Sequence, residues 1–548
     1  MYPILIIRNC LQALSQRKAD MVCILGILLG IWMRLDQILD QVLIDDEWHA
    51  VHAIISLGGI KEIILSFGVA DHSIPLTLLY WMESSWFGLS ELGMRWPMLL
   101  CGILTLVLFV LYVRHYVGGR EAALFSMLLG LSPLLVSYSR TARPYAITLL
   151  LVYLSVFAVE KFCRNHSGRI FYAYVYILSG VLAVWMHLIS VGFIVAPLII
   201  EIISSIRHAD KLGSNFRLRR SVILGVCVSL GILLVVLPPL WATPEVISNK
   251  VGMNYPNWQT FSNVWYSWFG VASNVVVLAF IGLGIIGGAN LWGRLWVFRV
   301  IGLGTVITVA LIIAMRPALV HYPIVFGRYV LPIVPLLLLS VSVGTVRLVD
   351  FGKNHIHFLS QKLAVAIYFL PIVMFAWASP VWKMHYHPNT VYTAWRLDFE
   401  HHEDMIPKRV DRFPLSSYWT QVSKLPKNSL RIAVAPWYFN SYDWDAPRWE
   451  SVGGQTIVPG YLTGLCVGSR LGETPHEPRF DLRNAVFLND ADDIPRKRIN
   501  SVIYQKFYVG AINYSPDQSP ADCEAALRSR FGYPAYEDDE IIVFSLTN

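Results

Sequence analysis

Charge is what this chain has least of. Only 15% of its 548 residues are Asp, Glu, Lys or Arg, while 55% are hydrophobic, and the mean hydropathy is +0.51. Soluble domains carry about a quarter of their residues as charges, so water is excluded as the main solvent. Strand-like alternation is also missing from the apolar stretches, which excludes a membrane β-barrel. The first 19 residues lack a small-residue cleavage site; residues 2–18 read as a short interfacial helix leading into a first span, with no cleaved signal peptide. Cysteine is scarce at seven, and only Cys466 and Cys523 fall in the last third. An oxidising exoplasm would allow those two to pair, and two unpaired thiols fit equally well. The net charge of +7 does not imply nucleic acid, because the basic residues sit in short clusters between apolar runs and not on one soluble face.

What the chain has is a series of apolar runs, each long enough to cross a hydrocarbon core as a helix. They cover roughly residues 20–35, 97–113, 121–138, 145–162, 170–187, 189–206, 221–240, 265–288, 298–314, 327–346 and 363–379. The expected fold is an α-helical polytopic membrane protein with about 11 spans. A cytoplasmic N-terminus collects Arg17, Lys18, Arg114, Arg120, Arg217, Arg219 and Arg220 on the inner side, in accord with the positive-inside rule. An odd number of spans then puts residues 381–548 outside. That tail is richer in Asp, Glu, Pro and Asn. Short strand-like runs at 431–436, 485–488, 501–504 and 541–546, with a helix at 521–531, read as a smaller α/β or α+β domain. The domains expected are therefore 1–380, membrane-embedded with a large first outer loop at about 36–96, and 381–548, soluble and exoplasmic.

The first outer loop is too long for a simple connector. It opens on the motif IDDEWHAVH at residues 44–52, whose Asp45, Asp46 and Glu47 repel one another beside an apolar boundary. Such a cluster suits general-base work or a metal ion. A solvated helix N-terminus accounts for the same three acids. If a metal is held, Asp45, Asp46 and His49 are its candidate ligands, and Mg or Mn its candidate identity. Arg95, Arg140, Arg143, Arg316 and Arg328 lie at outer span ends, against the orientation rule, and so call for another reason to be there. Guanidinium forks bind phosphate oxygens, and a lipid phosphate sits at that depth. Ion pairing with the acidic cluster is the plainer alternative. His187 and His321 also fall near outer span ends, as substrate contacts or as hydrogen-bonded interfacial residues. Within the tail, the aromatic stretch 436–444 fits a sugar-holding surface or a plain strand and turn.

These residues resemble a known group. Asp46 and Glu47 early in the first loop, His72 and Pro75 before Tyr80 and Trp81, and a run through Gly119–Leu124, Ser132, Pro133, Tyr138, Ser139, Arg140, Ala142, Arg143 and Tyr145 resemble the GT-C glycosyltransferases. More narrowly they are similar to bacterial relatives of protein O-mannosyltransferases and lipid A aminoarabinose transferases, glycosyltransferase family 39-like proteins. The segment Phe326–Leu339 resembles the family's Arg-Tyr entry to a late span. Ser73 and Ile74 stand where the family has prolines, and Thr141 where it has an acid.

The resemblance implies a catalytic Asp, aligned with Asp46 and followed by Glu47; a polyprenyl-phosphate sugar donor; and inversion at the anomeric carbon. Asp45 is a further candidate acid. Arg140, Arg143 and Arg328 are the candidate phosphate ligands, and His72, Tyr145 and His187 the candidate substrate contacts. The acceptor would be a protein, lipid or glycan hydroxyl at the outer face of a bacterial inner membrane, with no nucleic acid partner. A polyprenyl-linked polysaccharide polymerase or ligase is the nearest alternative. A secondary transporter would need midplane charges and an internal repeat, and neither is seen.

Overall fold

The computed structural model describes residues 2–36, 38, 47–57, 59–67, 73–86, 89, 91–164, 169–207, 214–355, 360–379, 415–435, 446–458, 461–462, 487–488, 493–496, 498–506 and 520–546. A long first helix, α1 (Tyr2–Leu35), is followed by three shorter ones, α2 (Trp48–Leu57), α3 (Ile60–Ile64) and α4 (Ile74–Trp86). Then come α5 (Glu91–Tyr116), α6 (Gly119–Gly130), α7 (Pro133–Arg140), α8 (Tyr145–Arg164), α9 (Ile170–Met186), α10 (Val191–Arg207) and α11 (Ser214–Ala242). Two short helices, α12 (Glu245–Lys250) and α13 (Trp258–Phe269), precede α14 (Asn274–Arg294), α15 (Trp296–Met315), α16 (Pro323–Tyr329), α17 (Val334–His355) and α18 (Gln361–Ala378).

Among the described residues, eight helices are long and apolar enough to span a bilayer: α5, α8, α10 with its leading turn, α11, α14, α15, α17 with its leading turn, and α18. Backbone groups in lipid must be satisfied within the segment, so apolar runs of this length become helices. The pair α6 and α7 makes a ninth span, bent by 54°. Helix α9 is apolar but one turn shorter than most, and α1 carries Arg17, Lys18, Asp20 and Arg34. The run expected at 265–288 is in fact split. Gly270, at φ 69°, stops α13 in the left-handed conformation that favours glycine, and α14 starts at Asn274. Asn257 and Thr260 start α13 with a reciprocal capping box.

The bend between α6 and α7 has a local cause and a distant support. Pro133 is the first residue of α7 and has no N–H to carry the helix through. The carbonyl of Gly130 at the break receives Arg34 Nη1 at 3.1 Å, while the same nitrogen holds the Gly30 carbonyl at 2.8 Å and Arg34 Nε donates to Ser139 Oγ at 3.1 Å. Arg34 thus ties the end of α1 to both halves of the bent span.

Helices α14 and α17 cross so closely that there is no room for a side chain at two positions. A Cβ on Gly287 would fall on the Ser340 carbonyl, and one on Gly344 on the Leu283 carbonyl. Gly287→Leu is expected to force the pair apart at a cost of about 3 kcal/mol, near the upper end for overpacking. Thermal unfolding in detergent measures this, and a midpoint equal to the parent's would contradict the close crossing.

The tail holds a mixed five-stranded sheet of order β2-β1-β5-β7-β6. Its strands are β1 (Arg431–Ala435), β2 (Thr456–Val458), β5 (Ser501–Gln505), β6 (Tyr536–Glu537) and β7 (Ile541–Ser545); β3 (Tyr461–Leu462) and β4 (Phe487–Leu488) form a separate parallel pair. Strands β2, β1 and β5 run parallel, with Ile432 opposite Ile457 and Ser501, while β7 and β6 are antiparallel. β5 is buried along its whole length because both faces are covered, as expected of a central strand. On one face Ile432, Val434, Ile503 and Val543 meet Trp419 of α19 (Ser417–Val422) and Trp449 of α20 (Ala446–Gly453), whose rings stack at 5.4 Å. The other face packs Ala433, Val502, Tyr504, Ile542 and Phe544 with Leu527 of α22 (Pro520–Phe531); a short α21 (Asp493–Arg496) precedes β5. The possible Cys466–Cys523 pairing lies outside the described residues, as does the stretch 436–444.

Candidate active site

The first loop is fixed to the bundle through Glu47, the residue just before α2. Glu47 is 1% exposed and Arg95, on α5, is 0% exposed. Arg95 donates through Nε to Glu47 Oε1 at 3.0 Å and through Nη2 to Oε2 at 2.8 Å. This is the fork-to-fork geometry for which arginine and a carboxylate are matched. The backbone N–H of Ala142 donates to the same Oε1 at 2.6 Å. One carboxylate therefore joins the loop, α5 and the connection between α7 and α8. Ion pairing was the plainer expectation for the misplaced arginines, and for Arg95 it is what the geometry holds.

Tyr80 and Ser73 secure α4 and its start. Tyr80 is wholly buried in α4 and its hydroxyl donates to the Met94 carbonyl at 2.6 Å, beside Arg95. Ser73 Oγ donates to Met186 Sδ at 3.4 Å. The Trp96 indole donates to Glu83 Oε1 at 2.7 Å. Burial raises the Glu83 carboxyl above its ordinary range, and that hydrogen bond lowers it part of the way back.

Arg140 and Arg143 are three residues apart and go to different places. Arg140 ends α7, is 3% exposed, and donates through Nη1 to the Met33 carbonyl at 3.0 Å. It is not among the residues lining the large cavity at this end of the bundle. α7 stops at Arg140, and its last turn faces α1, so the structure does not bring Arg140 together with Arg143 and Arg328 in this lining. Beyond the stop, Thr141 Oγ1 donates to the Ser137 carbonyl at 2.9 Å, and the Arg143 N–H to the Thr141 carbonyl at 2.7 Å. That tight turn brings Arg143, 7% exposed, to the cavity wall.

The cavity has a volume of about 430 Å³ and is walled by the first loop, the α7–α8 connection, the end of α9, α11–α12 and the turn before α16, with Arg328 and Tyr329 of α16. Four of the expected site residues meet here: Arg143, Tyr145, His187 and Arg328. The Arg328 guanidinium lies 5.4 Å from the Tyr145 ring centre and 5.8 Å from that of Tyr329, within cation–π range. The His187 ring stands between the same tyrosines, at 5.4 and 5.3 Å. Ser73 and Ile74 also line the space. Lys250, at the end of α12, supplies a third cation that the sequence reading passed over. The signal for it was present, since it too is a basic residue between apolar runs. His321 and Arg316 are not in this lining; Arg316 instead lies against the Tyr255 ring and donates to its hydroxyl at 3.0 Å.

Asp45, Asp46 and His72 lie outside the described residues, as does the side chain of His52. His49 is part-buried on α2. Among the described residues, no three of His, Cys, Asp and Glu come together to hold a metal ion. Chemically, the described wall offers guanidinium and ammonium groups for an oxyanion, tyrosine and histidine rings for a sugar face, and apolar side chains of α11 and α12, such as Val236, Leu240 and Val246, for a lipid.

No curated protein matches the chain. Among solved structures it is similar to ArnT from Cupriavidus metallidurans bound to undecaprenyl phosphate, at 13% identity over 96% of this chain and 98% of that one, with a TM-score of 0.45. It is also similar to the oligosaccharyltransferase AglB from Archaeoglobus fulgidus in complex with an inhibitory peptide and a dolichol-phosphate, at 10% identity over 94% of this chain and 72% of that one, TM-score 0.41. A third likeness is to the Archaeoglobus fulgidus oligosaccharyltransferase in complex with Zn and sulfate, at 10% identity over 96% and 73%, TM-score 0.38. Residues 71–241, which run from the end of the first loop through α11 and include Arg143, Tyr145 and His187, match the family described as dolichyl-phosphate-mannose-protein mannosyltransferase.

Proposed function

We propose that the protein transfers a sugar, with inversion, from a polyprenyl-phosphate carrier to an acceptor hydroxyl at the outer face of a bacterial inner membrane. In this reading the N-terminus is cytoplasmic and the domain from about residue 381 is periplasmic. The observation that carries it is the meeting of Arg143, Arg328, Tyr145 and His187 in one cavity whose remaining wall is largely apolar. Arg143 and Arg328 would hold the two non-bridging phosphate oxygens. The tyrosines and His187 would orient the sugar.

The step balances as follows. The acceptor oxygen forms a bond to the anomeric carbon as the bond from that carbon to the bridging phosphate oxygen breaks on the opposite face. Asp46 takes the acceptor's proton, and the electron pair of the broken bond leaves on the phosphate, where the cations meet its developing charge. Glu47 acts as a positioning residue, since both its oxygens are engaged by Arg95 and one also by Ala142.

The test is to incubate the purified protein with radiolabelled polyprenyl-phosphate sugars and a panel of protein, lipid and glycan acceptors. Label is expected in an acceptor, and Arg143→Gln and Arg328→Gln are each expected to lower kcat/KM about a hundredfold, as loss of one oxyanion donor does. Accumulation of intact donor inside vesicles, without transfer, would overturn the proposal in favour of a transporter.

A further inference from the structure

We infer that the end of the bundle opposite the cavity carries a binding site for the headgroup of an anionic phospholipid, formed by Arg294 and Arg347. Helix α15 fixes the depth. It starts at Trp296, next but one to Arg294, and ends at cavity-lining Met315, so its 20 residues cover about 30 Å, the thickness of a hydrocarbon core. The helix is apolar enough to span, which puts Arg294 and the cavity at opposite headgroup layers.

The close crossing of α14 and α17 brings the two arginines together. Gly287 and Gly344 let the backbones touch, and three residues beyond each glycine come Asn290 and Arg347. Asn290 Oδ1 accepts from Arg294 Nη1 at 3.1 Å and from Arg347 Nη2 at 3.4 Å. Two guanidinium groups thus converge on one neutral oxygen. The helix dipole favours a cation at each C-terminal end, and topology favours basic residues on one side of the membrane, but neither effect requires two cations to share an acceptor. Asp350 lies within electrostatic reach of Arg347, yet both its oxygens accept from Arg120, at 2.8 and 2.9 Å. Arg294 and Arg347 are exposed, and each spends a single N–H on Asn290, so further donors of both forks are left for phosphate oxygens. An acyl chain has its place beside them. Helical spacing puts Gly282, Ile286, Asn290 and Arg294 in one row along α14, where Ile286 is exposed and a Cβ on Gly282 would meet nothing within 4 Å. That uncovered apolar row leads from the cations towards the bilayer middle, which favours a lipid over a free anion.

Native mass spectrometry of the full-length protein, delipidated in detergent, tests this with phosphatidylglycerol and phosphatidylcholine as probes. One phosphatidylglycerol is expected to bind about thirtyfold tighter than phosphatidylcholine, roughly the contribution of two surface cations to holding an anionic lipid. Arg294→Gln with Arg347→Gln should reduce that preference to about twofold or less, and Arg294→Gln alone, which keeps the contact between the helices, should cost about fivefold. As a control, Arg217→Gln with Arg219→Gln removes two cations from the start of α11 and should leave the preference within about twofold of the parent's. Equal binding of the two lipids by the parent would overturn the inference. Equal losses in the two double variants would overturn it too, leaving only diffuse attraction to a basic surface. Displacement of the bound lipid by millimolar inorganic phosphate would overturn it in favour of a soluble anion.

Discussion

Asp46→Asn is expected to lower kcat by about a thousandfold, within the range for losing a general base, while the protein folds and binds polyprenyl phosphate as before. The amide keeps the size of the carboxylate and removes only its ability to take a proton. Asp46 is bonded to Glu47, whose two oxygens are fixed by Arg95 and Ala142, and Ala142 is the neighbour of cavity-lining Arg143. Glu47 is therefore anchored next to the cavity wall, and on the proposed reading that is where a base for the acceptor hydroxyl is needed. Single-turnover transfer from a labelled donor separates chemistry from release. A rate within tenfold of the parent's would move the base elsewhere, with Asp45 the first alternative.

Glu47→Ala should fail in a different way. Removing one partner of a buried ion pair costs about 3–5 kcal/mol, because the other charge is left in the interior. Thermal stability should therefore fall sharply together with activity, whereas Asp46→Asn spares stability. Replacing both partners, as in Glu47→Leu with Arg95→Met, removes the stranded charge and should recover most of the loss. It should not recover all of it, since the Ala142 N–H then lacks its acceptor, a deficit of about 1–3 kcal/mol. If the two single variants and the double variant have additive effects on unfolding, the pair is not coupled and the clamp is not the reason the loop is held.

Why some of this was readable in sequence and some was not comes down to range. Spans are local: about twenty apolar residues commit a segment to helix in lipid, so the apolar runs coincide with helices, although the run at 265–288 is split and eight or nine spans, not eleven, qualify among the described residues. The strands at 431–435, 501–505 and 541–545 were equally local, being short β-branched or aromatic runs between turn residues. That Arg143 and Arg328 belong together was legible because positive charge at the end of an apolar span stands out, and both line the cavity. The same logic could not separate Arg140 from Arg143, because they are three residues apart across a helix stop and no local pattern says which face each one takes. Glu47 looked like a sibling of Asp46, for its partner Arg95 is 48 residues further along and only the fold brings them together. The short strands β2, β3 and β6 have two or three residues each and too little pattern to be seen.

Arg34 bears on the order in which the bundle can be built. The chain enters the membrane from its N-terminal side, so α1 and its guanidinium are in place before the bent pair α6–α7 arrives with a carbonyl that the bend leaves open. The later segment can therefore break its helix inside the bilayer without passing through a state in which that oxygen faces lipid. A protein permuted so that α1 was synthesised last would have to insert the same bend with its cap still on the ribosome.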